Sequence, residues 1–238
     1  MMAELVTIYQ VTYGIIIHML ILIMLLSHST LTADEDFSRL LLGLTIPPMI
    51  RILSLSLPLF YFNYLTWFAI ISIPVYIAIF TCMYIQRLKP MDVGLSFPSF
   101  RDLPIEISVI LIAIPIGLFE YTLLKPGPLI GVKESVETFI ASSLIMIICT
   151  GFLEELAFRG LIQYHATKTM GLYGLFYVSA IFGVLHLGNL STADAVLAFS
   201  VGLFYSLVVR KTGSIYGVSA SHGLVNIVLF ILSPIIYG

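Results

Sequence analysis

The sequence has few charged side chains for its length. Lysine and arginine together number 11 and aspartate and glutamate 13, so only 10% of the 238 residues are charged. An average soluble domain carries about 25% charged residues. The small formal net charge of −2 and the lack of a basic tail also exclude nucleic acid as an expected partner. Hydrophobic residues, at 59%, instead predict a protein whose partner is the membrane lipid bilayer.

Cysteine is nearly absent, and several diagnostic motifs are missing. Cys82 and Cys149 lie far apart in apolar runs, which argues against both a disulfide framework and a thiolate metal site. The chain lacks the His-Glu-x-x-His signature of zinc peptidases. It also lacks the internal repeats from which many transporters are built.

Long apolar stretches dominate what is present and predict the fold. Each membrane-spanning helix needs about 20 residues, and the stretches between polar or Pro/Gly-rich breaks give about eight such helices. Because every backbone donor must be satisfied inside lipid, we expect an all-α polytopic membrane helix bundle. The expected spans are residues 6–27, two within 39–86, and then 104–124, 135–164, 171–187, 193–209 and 214–233.

The chain reads as a single integral membrane domain over residues 1–238. We expect N-terminal spans and a surface linker, at about 87–103, within residues 1–134, and catalytic helices within 135–234. The first apolar stretch resembles the core of a signal peptide, but Glu4 precedes it and no lysine or arginine does. We therefore interpret that stretch as a span, and His18 within it as a packing residue.

Three charges interrupt the fifth apolar stretch, namely Glu154, Glu155 and Arg159. A charged side chain at the centre of a membrane helix costs roughly 2.5 to 3.5 kcal/mol, so such residues suggest a functional site. Glu155 and Arg159 are four residues apart and can pair on one helix face. Glu154 is rotated by about 100° from Glu155. The spacing predicts a supporting Glu155–Arg159 pair and a Glu154 that is free for chemistry.

Two polar pairs follow on later spans. Phe182 and His186 are four residues apart, as are His222 and Asn226, so each pair lies on one helix face. Antiparallel spans can bring these residues and Glu154 to one depth. We predict that Glu154, His186, His222 and Asn226 share one wet pocket within the bilayer.

A carboxylate, two imidazoles and an amide suit the attack of activated water on a carbonyl. Glu154 would accept the proton, His186 would help to activate the water or protonate the leaving amine, and His222 with Asn226 would stabilise the oxyanion. The residues also suit a metal site, since Glu154, His186 and His222 are acceptable ligands for Zn²⁺ or another divalent metal. The sequence leaves the metal-dependent and metal-free mechanisms open.

Other functions use the same residues differently. In a transporter or channel, Glu154, Arg159, His186 and His222 would relay protons or bind an ion. A non-catalytic immunity or scaffold protein could have the same fold without the activity. A serine mechanism through Ser219 or Ser221 is the weakest alternative, because neither residue lies in a recognisable nucleophile turn.

The ordered motifs resemble the CPBP family of intramembrane proteases, which includes the type II CAAX prenyl endopeptidases and bacteriocin-processing and self-immunity proteins. Glu154-Glu155-x-x-x-Arg159, Phe182-x-x-x-His186 and His222-x-x-x-Asn226 carry the resemblance, which covers about residues 136–232. It implies a metalloendopeptidase that cleaves a peptide or prenylated protein substrate. It also implies that Glu155, Arg159 and Phe182 support the four catalytic residues. A chain this short suits a prokaryotic plasma membrane, with the endoplasmic reticulum membrane as the alternative location.

Overall fold

The computed structural model describes residues 1–57, 63–131 and 135–237, without the side chain of Asn189. These ranges contain helices and no strand, which confirms the all-α class. We number the helices α1 (Met2–Tyr9), α2 (Val11–Leu31), α3 (Glu35–Gly43), α4 (Ile46–Ser56), α5 (Tyr64–Ile85), α6 (Leu103–Leu124), α7 (Val136–Met170), α8 (Tyr173–Leu185), α9 (Thr192–Thr212) and α10 (Tyr216–Tyr237).

The prediction of a polytopic bundle is confirmed. Seven segments of the described chain are long and apolar enough to cross a membrane, with α3 and α4 counted together as Glu35–Ser56. An eighth apolar helix, Tyr173–Gly188, is shorter. The protein is therefore an integral, multi-pass membrane protein.

The N-terminal stretch differs from the single span expected over residues 6–27. The chain breaks at Gln10, where the backbone is extended (φ −150°, ψ 99°), and α1 packs against α2. Gly14 allows this approach, because a Cβ there would lie 2.0 Å from the hydroxyl oxygen of Thr7. The break was not predicted, since neither proline nor glycine marks Gln10.

The second span is also interrupted. Helix α3 ends at Gly43, and Pro47 and Pro48 lie in the first turn of α4, where a missing backbone donor costs little. The connection to α5 includes residues 58–62, which lie outside the described ranges.

The polar linker at about 87–103 docks onto the start of α10. A short 3₁₀ turn at Pro90–Val93 ends at Gly94, whose φ of 71° lies in the left-handed region that favours glycine. The Gly94 carbonyl accepts a hydrogen bond from the Ile215 backbone N–H at 3.0 Å. The location of this linker at the membrane surface stays a prediction, as does the boundary at 134/135, where residues 132–134 lie outside the described ranges.

Helix α7 is distorted around the charged motif and lies unusually close to α10. Two π-helical segments, Met146–Phe152 and Leu156–Ile162, flank the short α-helical turn Leu153–Glu155. Such π segments are frequent at functional sites. A Cβ at Gly151 would lie only 2.5 Å from the backbone nitrogen of Gly223, so small residues let the two backbones approach. This approach brings the motif of α7 to the polar face of α10.

Candidate active site

One oxygen of Glu155 takes part in two hydrogen bonds, one within α7 and one that connects α7 to α10. Its fully buried Oε1 accepts from Nη1 of Arg159 at 3.0 Å and from Nδ1 of His222 at 2.8 Å. The helical spacing predicted the contact with Arg159. The contact with His222 is an addition, and it gives Glu155 a direct part in orienting an imidazole of the site.

Arg159 is held by aromatic packing as well as by charge. Its guanidinium carbon lies 4.2 Å from the centre of the Phe182 ring, a cation–π geometry. Gly202 on α9 makes room for this arrangement, because a Cβ there would lie 2.7 Å from Nη2 of Arg159. Phe182 therefore serves as the platform on which the Arg159 side chain rests.

Glu154 faces away from the Glu155–Arg159 pair, as expected from the rotation between neighbouring residues. Its Oε2 lies 3.9 Å from Nε2 of His222, and its side chain is 31% exposed whereas that of Glu155 is 0% exposed. The His222 ring thus lies between two carboxylates, one at each nitrogen. Glu154 is the carboxylate that solvent or substrate can reach.

Asn226 is anchored to α7 next to the Gly151–Gly223 contact. Its Nδ2 donates to the Thr150 hydroxyl oxygen at 2.8 Å, and that hydroxyl in turn donates to the Met146 carbonyl. A side-chain amide carries two N–H groups, so this bond uses one of them. The second N–H can donate a hydrogen bond to a bound molecule.

His186 is oriented by its own helix. Its Nδ1 lies 2.9 Å from the Phe182 carbonyl oxygen, which can only accept, so Nδ1 carries the hydrogen. In the neutral ring the lone pair is then on Nε2. The Phe182 ring also packs against both imidazoles, with its centroid 4.7 Å from that of His186 and 5.9 Å from that of His222.

His186, His222 and Asn226 line one cavity of about 40 Å³. A water molecule needs about 10–15 Å³, so the cavity can hold at least one. Phe182 also lines the cavity. Glu154 is not among the lining residues, and its contact with this group is the one with His222.

Among the lining residues that were not predicted as site residues, two carry polar groups. Glu120 of α6 contributes a carboxyl group to the cavity, and Tyr205 of α9 contributes an aromatic ring. The Tyr205 hydroxyl lies 2.7 Å from that of Ser221, which donates to the Val109 carbonyl at 2.8 Å. Glu120 could have been found from the sequence, because it is an acidic residue within the apolar stretch of α6. No sequence feature points to Tyr205.

A metal ion in a protein requires several donor groups held close together. Within residues 1–57, 63–131 and 135–237, no three His, Cys, Asp or Glu side chains are grouped closely enough to hold one. The arrangement of Glu154, His186 and His222 therefore does not fit a metal site as it stands. Their assignment as ligands stays a prediction.

The late helices are similar to a known protein family. Residues 136–228 match the family model described as type II CAAX prenyl endopeptidase Rce1-like. No curated protein matches the chain. No solved structure matches it either. The matched segment contains all three motifs, which confirms the resemblance seen in the sequence. Residues 136–228 are therefore similar to the type II CAAX prenyl endopeptidases of the Rce1-like family.

Proposed function

We propose that this protein is an intramembrane endopeptidase that hydrolyses a peptide bond near the membrane surface. The observation that carries the proposal is the placement of His222 between Glu154 and Glu155, in a cavity shared with His186 and Asn226. The family match supports the same reaction. The substrate class that we propose is the C-terminal CAAX sequence of prenylated proteins.

Glu154 is the proposed general base. It is the more exposed of the two glutamates, and its ion-pair contact is with His222 at 3.9 Å. It can therefore accept a proton from water without breaking the buried pair beneath it. The hydroxide that forms would attack the scissile carbonyl carbon.

His222 and Asn226 are the proposed oxyanion donors. Because Glu155 fixes Nδ1 of His222, the other ring nitrogen is directed away from the buried pair. The protonated ring would donate from Nε2, and Asn226 would donate through its second N–H. Fixed donors aimed at a developing negative charge are typically the largest electrostatic contribution to such reactions.

The proposed role of His186 is to accept a hydrogen bond from the water and to help transfer a proton to the leaving amine. Its Nδ1–H is used by the Phe182 carbonyl, which leaves Nε2 to accept a hydrogen bond from the water. Collapse of the tetrahedral intermediate breaks the C–N bond. The amine then takes the proton that Glu154 received, either directly or through His186.

A metal-dependent version is a separate proposal. Glu154, His186 and His222 would need to move closer together to hold Zn²⁺ or another divalent ion. Assays in the presence and absence of a chelator test this requirement directly. We place the protein in a prokaryotic plasma membrane, which is likewise a proposal.

The decisive experiment is cleavage of a farnesylated CAAX reporter by the purified protein and by Glu154→Gln. We expect a loss of at least about 100-fold in kcat, the lower end of the range that a positioned acid or base typically contributes. Glu137→Gln is the matched control, since it neutralises an exposed carboxylate of the same helix.

Full activity of Glu154→Gln would refute the assigned base. An unmodified protein that cleaves no prenylated or unprenylated reporter would refute the endopeptidase itself. Proton or ion flux through reconstituted vesicles, lost in the same variant, would then favour the relay function.

A further inference from the structure

The N-terminal helix contributes a buried carboxylate that the proposed reaction does not use. Glu4 of α1 is 1% exposed. Arg51 of α4 donates to both of its oxygens, from Nε at 2.9 Å and from Nη2 at 2.7 Å. Nε2 of His18, on α2, lies 3.1 Å from the same carboxylate. One acidic side chain therefore joins three helices of the N-terminal half.

This cluster lies directly against the turn that carries His186. The segment His186–Asn189 forms a 3₁₀ turn after α8 and ends at Leu190, whose φ is 58°. A Cβ on Gly188 would lie 2.9 Å from Nη2 of Arg51, so the guanidinium packs against the Gly188 backbone. Helix α1 contacts the same turn. The Glu4–Arg51 pair thus contacts the backbone at Gly188, two positions after His186.

The ion pair is not needed merely to hold helices together. Apolar side chains of similar volume usually stabilise a buried contact as well as an ion pair does, because charges lose hydration on burial. Burial acts to raise the pKa of Glu4, but the hydrogen bond with His18 and the charge of Arg51 outweigh it and hold that pKa below its usual value. Glu4 therefore stays ionised at neutral pH and keeps Arg51 in a fixed, two-pronged geometry.

We propose that Glu4 and Arg51 are positioning residues that fix the 186–189 turn and thereby the direction of the His186 ring. The inference rests on the proposed function, in which His186 must present Nε2 to water. It assigns α1, which lies outside the family match at residues 136–228, a part in the reaction. It also gives a reason for glycine at position 188, where a Cβ would lie 2.9 Å from Nη2 of Arg51 and would require the guanidinium to shift.

Two substitutions test this from opposite sides of the contact. Glu4→Gln releases the guanidinium, and Gly188→Ala pushes against it. Displacement of a reacting group by about 1 Å can cost 10²-fold, so each variant should lower kcat by roughly 10- to 100-fold with little change in KM. The double variant should lose less than the product of the two losses, because both act on one contact. Glu35→Gln is the control, since it breaks an exposed pair with Arg39 in the same half of the chain.

A second readout does not depend on cleavage. Histidine ring nitrogens labelled with ¹⁵N can be observed by NMR, and the chain has five histidines. His186→Gln identifies the signals of His186, and a shift of the His18 signals shows that Glu4→Gln has altered the cluster. We expect Glu4→Gln and Gly188→Ala to shift the His186 signals and Glu35→Gln to leave them in place.

Unchanged His186 signals in both variants would refute the positioning role, even if the unmodified protein cleaves its substrate. Shifted signals with unchanged kcat would also refute it. Shifted signals in a protein that cleaves nothing would support the coupling of α1 to the turn while refuting the endopeptidase.

Discussion

Removal of the Arg159 side chain should destabilise the protein severely. Arg159 and Glu155 are both fully buried and joined at 3.0 Å. Arg159→Ala leaves the Glu155 carboxylate with His222 as its remaining charged neighbour and empties the space above Phe182. Removing one partner of a buried ion pair typically costs about 3–5 kcal/mol. A free-energy loss of 1 kcal/mol lowers Tm by about 2–4 °C at this chain length, so we expect a decrease of about 6–20 °C.

Cys82 provides the assay. It is 6% exposed, so a thiol-reactive fluorescent dye should label it only when the protein opens. Cys149 is partly exposed and would be replaced by serine in all variants to remove its background signal. Thermal scans in detergent would then compare Arg159→Ala with Arg210→Ala, which removes an exposed arginine. An Arg159→Ala variant with the Tm and yield of Arg210→Ala would refute the reasoning, since it would mean that the pair contributes nothing to stability.

Two further predictions separate stability from activity. Replacing both partners, as Glu155→Leu with Arg159→Met, should restore the Tm of the thermal scan to near that of the unmodified protein, because no buried charge is stranded. Reporter cleavage should stay absent, because His222 loses the acceptor for Nδ1; full activity would contradict the assigned role of Glu155. Thr150→Val keeps the side-chain shape but removes the hydroxyl that accepts from Asn226, so kcat should fall roughly 10-fold at unchanged Tm. Unaltered kcat would show that Thr150 does not orient Asn226.

Local spacing predicted the parts of the site that lie on one helix. Glu155 and Arg159 are within one turn of α7, and their contact follows from helical geometry alone. The different orientation of Glu154 follows in the same way, although one π-helical segment precedes Glu154 and a second, Leu156–Ile162, contains Arg159. Such relationships depend on a few neighbouring residues, which is why one sequence suffices to predict them.

Contacts between distant helices could not be derived in this way. Glu155 and His222 are 67 positions apart, and their hydrogen bond depends on the close approach of α7 and α10. Gly151 and Gly223 permit that approach, but a glycine in an apolar run does not name its partner. The fold-back of α1 at Gln10 was missed for a related reason, since the packing of Thr7 against Gly14 decides it rather than a local helix breaker.

The charges that looked most out of place in the sequence are explained by one another. Arg159, Glu155, His222 and Glu154 form a continuous series of contacts at 3.0, 2.8 and 3.9 Å in which opposite charges alternate when His222 is protonated. Each buried charge then has a neighbour of opposite sign, which offsets part of the cost of placing it among apolar helices. Only Glu154, at the end of the series, is substantially exposed. The arrangement that makes these charges tolerable in a membrane is therefore the same one that buries Glu155 and leaves Glu154 exposed.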